Sequence, residues 1–297
     1  MIRRPLLFVI GLGAVASLAA WALGQAADPE RAASDGTAAR IVSLAPAVTE
    51  TLFLIGAGSR VVGVSDYCEH PAGVEGLPRL GTGLTPSYER IARLYPTLIV
   101  TESNVSTREP ELDAIARTVL LPWLTLGEIV SSTRELGRLV GRPEPANQLA
   151  DRLARRLDVP EPAGGPRVLL VLGYDPGKLD EIWFIRRNSM HGAALHAAGG
   201  RNAVPQEIES LPRLSLQRLV ELDPDLVIIL TPRPVREAVL MSSWRHLHAL
   251  RAVRDRRVAV LEAPEAFANG PRILELTARL EVEIRRLSGS ASSGPRP

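Results

Sequence analysis

Short apolar segments alternate with helical patterns along most of this chain, and that alternation limits its fold more than any other feature. Strands separated by helices are typical of parallel sheets with helices on both faces. Val48, Leu52 and Ile55 illustrate the helical spacing, because they recur on one face at i, i+4 and i+7. In the N-terminal half, strands are predicted at 41–44, 61–64, 98–100 and 120–126, and helices at 46–55, 87–94, 111–117 and 129–140.

A break near the middle of the sequence divides the chain into two lobes. Leu149, Leu153 and Leu157 lie on one face of a predicted helix, and prolines and glycines crowd 160–166 before a strand pattern resumes at 168. The sequence Leu-Pro-Arg-Leu precedes similar helix–turn–strand segments in both halves, which favours a duplicated lobe. We predict an α/β fold with two lobes of mainly parallel sheets flanked by helices, at 40–141 and 166–287, a single bridging helix at 142–160 and a ligand cleft between the lobes.

Composition excludes several function classes. The chain has 297 residues, of which 45% are hydrophobic and 23% charged, so it can bury a full core without disulfides. Its net charge is +2, and acidic and basic residues are interspersed, so nothing favours nucleic-acid binding. Cys68 is the single cysteine, which excludes a disulfide framework and any multi-cysteine metal site.

The first residues have the pattern of a secretory signal. Arg3 and Arg4 precede an apolar run over 6–24, and small residues follow near position 26. The run is also long enough to span a bilayer, so an uncleaved anchor is the alternative. Either way the folded part is expected outside the cytoplasm. We predict a signal peptide at 1–26, a disordered leader at 27–39 and a disordered tail at 288–297.

Motifs of catalysis are missing from the sequence. No glycine-rich phosphate loop follows a strand, and no GxSxG elbow is present. His191 and His196 are five residues apart, which does not place them above one another on a helix. Cys68 with His70 supplies only two ligands for a soft metal. We therefore predict no catalytic residue, no intrinsic metal and no intrinsic cofactor.

A binding surface remains, formed by loops that follow the predicted strands. Aromatic residues are only 4% of the chain, yet several lie near strand ends, and two arginines follow one of them directly. Aromatic rings beside guanidinium groups suit a flat, anionic ligand. Core packing for the rings and solvation for the arginines are the alternatives. The candidate ligand-binding residues are Pro46, Tyr67, Tyr174, Trp183, Phe184, Arg186 and Arg187.

Three sequence segments carry a resemblance to a known family. They are Arg-Ile-Val-Ser-Leu-Ala-Pro at 40–46, Val-Val-Gly-Val-Ser-Asp-Tyr-Cys at 61–68 and Ala-Gly-Gly-Arg-Asn at 198–202. Together with 77–100 and 244–260, they resemble periplasmic cobalamin-binding proteins. These belong to the ABC-importer binding proteins with a helical backbone, which also take ferric siderophores and haem.

The resemblance implies a monomeric periplasmic receptor that delivers a metal chelate to an inner-membrane ABC permease and its ATPase. A corrinoid is the first choice of ligand, and a ferric siderophore or haem the second. An envelope chelatase or glycosyl transferase is the alternative from another class. Family members dock through one exposed Glu on each lobe; Glu89 matches the first, and Gln217 stands at the second. The bridging helix is shorter than the family's.

Overall fold

The computed structural model describes residues 40–103, 109–175, 178–208 and 212–289. The predicted signal peptide, the leader and residues 290–297 of the predicted tail lie outside these ranges. None of the helices in the described part of the chain combines the length and apolar character needed to cross a membrane.

The N-terminal lobe is a parallel sheet with strand order β2-β1-β3-β4. Each strand is short and mostly buried, as expected where helices cover both faces. Ala45 caps the first helix in an extended conformation, and Pro46 occupies its first turn, where a missing N–H costs nothing. The elements are β1 (Ile41–Ser43), α1 (Pro46–Leu54), β2 (Val61–Val64), α2 (Tyr88–Ala92), β3 (Leu98–Glu102), α3 (Glu109–Asp113) and β4 (Thr118–Leu121).

Two antiparallel helices, α4 (Leu126–Leu139) and α5 (Pro143–Leu157), follow this sheet. Thr125 begins α4 with a capping box, in which its side chain and that of Glu128 bond each other's backbone N–H groups. The prediction of a strand over 120–126 is therefore wrong beyond Leu121, because Pro122 and the cap at Thr125 start a helix. The predicted bridging helix corresponds to α5, which connects the two sheets along the chain.

The C-terminal lobe is a mixed sheet with strand order β10-β9-β5-β6-β8. Its parallel part is β5, β9 and β10, and β7 pairs with the start of β5. Strand β6 is antiparallel to both of its neighbours. The elements are β5 (Arg167–Asp175), β6 (Lys178–Phe184), α6 (Met190–Ala197), β7 (Arg201–Asn202), β8 (Arg213–Leu214), α7 (Leu216–Leu222), β9 (Leu226–Thr231), α8 (Glu237–Trp244), α9 (Arg251–Arg254), β10 (Val258–Glu262) and α10 (Ile273–Gly289).

A second strip of chain also connects the lobes. Between β10 and α10, residues 263–272 return to the N-terminal lobe, where the Trp123 indole Nε1 donates to the Asn269 carbonyl oxygen at 2.7 Å. One continuous buried cluster contains Leu52 of α1, Leu153 of α5 and Leu276 of α10. The lobes therefore share a core, which resists hinge motion more than one helix alone does. Helix α10 includes Ser288 and Gly289, which were predicted to begin the tail.

Candidate functional site

The carboxyl ends of the parallel strands in both lobes face a common cleft. Three adjoining cavities of about 390, 420 and 280 Å³ occupy it, and Pro46 lines all three. The first cavity has residues of both lobes in its wall, including Glu102 at the end of β3 and Arg186 after β6. We call these three cavities together the interlobe cleft. Its position follows from the topology, because loops after parallel strands gather at one edge of each sheet.

The loop 65–70 forms the N-terminal wall of the interlobe cleft. Tyr67 is 70% exposed and lines two of the cavities, and His70 lines one of these with it. Cys68 points the other way: it is fully buried, with its Sγ 3.2 Å from the hydroxyls of Thr49 and Ser65. Cys68 therefore cannot share a metal ion with His70, and its thiol is a core hydrogen-bonding group.

Arg186 is one of the charged groups on the C-terminal wall, and Arg233 after β9 is another. The Arg186 Nη1 donates to the Ile208 carbonyl oxygen at 3.1 Å, which holds the side chain along the cavity that it lines. Ser189 caps α6, because its hydroxyl accepts from the Gly192 N–H. Thus a guanidinium and the start of a helix lie on the side opposite Pro46.

Two of the predicted aromatic contacts, Phe184 and Tyr174, pack against the core of the C-terminal lobe and are not among the residues that line the interlobe cleft. Phe184 is 1% exposed and packs in the cluster beneath the sheet. Tyr174 packs edge-on against Trp244 at 5.9 Å, and its hydroxyl donates to the Leu240 carbonyl oxygen. The sequence pattern could not identify the buried face, since a strand flanked by helices can bury either one.

Trp183 and Arg187 are partly exposed but have protein partners. Trp183 is partly exposed, whereas Phe184, the next residue of β6, is buried on the other face of the strand. The Arg213 guanidinium lies 4.4 Å from the centre of the Trp183 ring, a cation–π contact. Arg187 pairs with Glu161 at 2.9 Å and donates to the Pro205 carbonyl oxygen. Its charge is therefore paired with a carboxylate in the segment that follows α5.

Sequence reasoning missed the strip 263–272 as part of the site. Phe267 is 44% exposed and lies between two of the cavities, and Ala268 lines both with it. Arg272 and Glu50 close the far end of one cavity. The signal available was a single aromatic residue in an Ala-, Gly- and Pro-rich loop after a strand, and the strip's return to the other lobe was not visible in the sequence.

Two titratable groups of the cleft have strongly shifted pKa values. Burial raises the pKa of the Glu102 carboxyl to about 7. Burial lowers the pKa of His191 to about 4, against the opposing effect of its hydrogen bond with the Ala266 carbonyl oxygen. His191 is therefore neutral near pH 7, whereas the Glu102 carboxyl is close to half-protonated there.

We expect the pH dependence of stability to reveal His191. The pKa of His191 is about 4 in the folded chain and near 6.5 in the unfolded chain. Between these pH values the unfolded chain binds more protons than the folded chain, so the stabilising contribution of neutral His191 is fully present above pH 6.5. That contribution is lost as the pH falls toward 4. The difference in unfolding free energy between the wild type and His191→Gln should decrease by about 2 kcal/mol between pH 7 and pH 5 in urea titrations.

The variant Glu102→Gln should show the opposite pH dependence of stability. The folded pKa of Glu102 lies above the ordinary value, so the folded chain binds more protons in this range and the carboxyl favours folding at lower pH. The difference between the wild type and Glu102→Gln should therefore increase from pH 7 to pH 5. If the difference in unfolding free energy between the wild type and His191→Gln does not change with pH, the result contradicts a buried neutral imidazole at His191.

Glu89 and Gln217 lie in the first turns of corresponding helices, away from the cleft-lining positions. Glu89 is exposed on α2 and pairs with Arg93 at 2.5 Å. Gln217 is exposed on α7, and its amide donates to Glu221 at 3.1 Å. Ser87 and Ser215 precede the two helices at matching positions. The duplicated sequence thus presents one carboxylate on the first lobe and one amide on the second.

The chemistry of the cleft is that of a binding site with rings, guanidinium groups and carboxyls around open space. Within the described ranges, no three His, Cys, Asp or Glu side chains are grouped so as to hold a metal ion. Apolar surface with a few convergent polar groups is typical of a small-molecule site.

Known proteins resemble this chain over most of its length. The sequence profile of the periplasmic binding protein family matches residues 41–265. A vitamin B12-binding protein of Salmonella typhimurium is 27% identical over 199 residues, which cover 65% of this chain and 72% of the relative. The crystal structure of a periplasmic haem-binding protein of Pseudomonas aeruginosa has a TM-score of 0.66 and 26% identity, covering 87% of this chain and 95% of that chain. The periplasmic vitamin B12-binding protein of Vibrio cholerae has a TM-score of 0.65 and 21% identity, covering 84% and 98%.

Proposed function

Since this chain belongs to the periplasmic binding protein family, we propose that it captures a metal chelate in the interlobe cleft and delivers it to an ABC importer. A corrinoid is the first choice of ligand, supported by the similarity to the vitamin B12-binding protein of Salmonella typhimurium. Haem is the second, supported by the similarity to the haem-binding protein of Pseudomonas aeruginosa, and a ferric siderophore is a further alternative of the same chemical class. The mature protein then acts in the periplasm, after removal of residues 1–26.

The observation that carries this proposal is the arrangement of the cleft around Pro46. Tyr67 on one lobe and Phe267 on the connecting strip expose their rings to adjoining cavities, and Arg186 faces the same space from the other lobe. Flat macrocycles bind well to aromatic faces, and carboxylate or phosphate substituents bind to guanidinium groups. We propose Pro46, Tyr67, Arg186 and Phe267 as the ligand contacts.

A ligand titration tests the proposed function. Cyanocobalamin, hemin and a ferric hydroxamate are added separately to the purified protein, and the quenching of tryptophan emission is followed. We expect saturable binding of one of them. Protein purified from its own host should also absorb visible light if it retains the chelate. Failure of all three probes to bind contradicts the proposal.

Tyr67→Ala should weaken ligand binding by about 1 kcal/mol or more, roughly fivefold in Kd, because an aromatic contact is lost. The ligand in this test is the probe that the wild type binds. The stability of the variant should change little, since the Tyr67 ring is 70% exposed. Tyr95→Ala is the matched control, because Tyr95 is 81% exposed and is not among the residues that line the three cavities. A loss of stability with unchanged affinity contradicts a ligand contact at Tyr67.

The docking residues make a separate prediction. A surface charge pair with a permease arginine contributes about 0.2–1 kcal/mol, and a neutral amide lacks the Coulomb part. We expect Glu89→Ala to reduce uptake more than Gln217→Ala does, and Gln217→Glu to increase it, with ligand affinity unchanged in all three. Uptake assays in cells with the cognate permease measure this. Uptake that is indifferent to Glu89 contradicts docking through α2.

A further inference from the structure

The duplicated Leu-Pro-Arg-Leu sequence lies next to a loop of the interlobe cleft in its first copy. Its first copy, 77–80, runs beside β2: the Val64 N–H donates to the Pro78 carbonyl oxygen, and the Leu80 N–H donates to the Val64 carbonyl oxygen. Arg79 is thereby held next to the point where β2 ends and the loop 65–70 begins. The side chain of Arg79 is half-buried there.

The guanidinium of Arg79 reaches into this loop. Its Nη1 donates to the Ser65 carbonyl oxygen at 3.2 Å and to the Cys68 carbonyl oxygen at 2.5 Å. The Ser65 carbonyl oxygen also accepts from the Cys68 N–H, which closes a tight turn around positions 66 and 67. A charged donor on two carbonyl oxygens is a strong restraint on such a turn.

The remaining anchors of the turn leave one side chain free to face the cleft. Asp66 exchanges two hydrogen bonds with Gly81, and Cys68 is fully buried. Tyr67, between them, is the 70% exposed ring of the cleft wall. The backbone of the turn is thus bound to 79–81, and Tyr67 projects from it.

The second copy also places its arginine beside an aromatic ring. Arg213 pairs with Trp183 across β8 and β6, stacks on its ring and forms an ion pair with Glu181 at 2.9 Å. In both lobes the arginine of the motif therefore supports a segment that carries an aromatic side chain. The two contacts differ, because Arg79 holds backbone oxygens and Arg213 holds the ring itself.

We propose that Arg79 is the positioning residue of the ligand site: its guanidinium holds the turn 65–68 so that Tyr67 is already in place before the ligand arrives. This rests on the proposed function in so far as Tyr67 meets the ligand. A turn ordered in advance avoids the entropy of ordering it on binding, which favours affinity. Arg79 itself does not touch the ligand in this role.

Arg79→Met tests the positioning role without any ligand. The variant keeps the apolar stem and removes the donors. Tyrosines are replaced by 3-fluorotyrosine, and the Tyr67 fluorine resonance is identified with Tyr67→Phe. We expect Arg79→Met to shift or broaden the Tyr67 resonance and to leave that of Tyr95 unchanged. Arg90→Met is the matched control, because the Arg90 guanidinium donates to the Arg79 carbonyl oxygen and not to the loop. An unchanged Tyr67 resonance in Arg79→Met overturns the proposal.

A double-mutant cycle then separates positioning from a general loss of structure. The wild type, Arg79→Met, Tyr67→Ala and the double variant are titrated with cyanocobalamin, or with hemin if the wild type binds hemin instead. We expect Arg79→Met to weaken binding about fivefold and to have little further effect once Tyr67 is alanine. Arg79→Lys should recover part of the loss. Additive effects overturn the proposal even if ligand binding itself is found. Failure of the wild type to bind cyanocobalamin, hemin and the ferric hydroxamate counts against the proposed function and leaves the fluorine result decisive for Arg79.

Discussion

Replacing Arg272 by alanine is expected to destabilise the fold by about 3–5 kcal/mol, because it leaves a buried carboxylate without its counter-charge. Arg272 Nη2 lies 2.9 Å from Glu50 Oε1, and the two side chains are only 19% and 6% exposed. Glu50 belongs to α1 of the first lobe, and Arg272 directly precedes α10. The pair therefore joins the two lobes at the end of the cleft.

Gly270 shows how closely the strip 263–272 approaches this carboxylate. A Cβ built at Gly270 would lie 2.7 Å from Glu50 Oε2, so any side chain there must displace the carboxylate or the strip. Glycine is required for the close approach rather than for its backbone angles. The ion pair and the close contact together hold the strip against α1.

Guanidinium unfolding of three variants measures the effect of Arg272. Arg93→Ala is the surface control, since Arg93 and its partner Glu89 are 74% and 76% exposed and that change should be within about 0.5 kcal/mol. The double variant Glu50→Leu/Arg272→Met should recover most of the loss, because it removes both buried charges. If Arg272→Ala lowers the unfolding free energy by less than about 1 kcal/mol, the result contradicts a stabilising role for the buried Glu50–Arg272 pair.

Phe184→Ala should cost about 3–5 kcal/mol of stability, since it removes a fully buried ring from a packed core. Phe184 is not among the residues that line the interlobe cleft, so the folded fraction should bind the probe with unchanged affinity. Thermal unfolding and titration at a temperature well below the transition measure the two effects separately.

Phe267→Ala is the matched comparison, because it is the same chemical change at a ring that is 44% exposed in the cleft. Its cost in stability should be smaller than that of Phe184→Ala, and its effect on affinity larger. If Phe184→Ala leaves stability unchanged and weakens binding, the assignment of its ring to the core is wrong.

The sequence alone was sufficient for most of the local elements of this protein. The helical spacing of Leu149, Leu153 and Leu157 predicted a helix at 142–160, and α5 (Pro143–Leu157) lies within that range. Alternation of strands and helices predicted the α/β class, and two sheets flanked by helices are observed. These features depend on neighbours within a few residues, where side-chain spacing and capping chemistry decide the conformation.

The site was predictable only in part, for the same physical reason. Tyr67, Pro46 and Arg186 were chosen from loops that follow strands, and the structure places them around one cleft. Phe184, chosen by the same rule, is buried in the core of the C-terminal lobe, and Tyr174 is half-buried against that core. Strand periodicity separates two faces but does not say which face is covered, since that depends on helices distant in sequence.

Tertiary structure alone decided the second connection between the lobes and what lies at the centre of the cleft. Glu50 and Arg272 are 222 residues apart, and Trp123 and Asn269 are 146 apart. No local pattern encodes such pairs, because their contact exists only once both sheets have formed and the strip 263–272 has returned to the first lobe. The sequence thus determined the lobes and the loops, whereas long-range packing determined that Phe267 and Arg272, which no motif marked, complete the cleft.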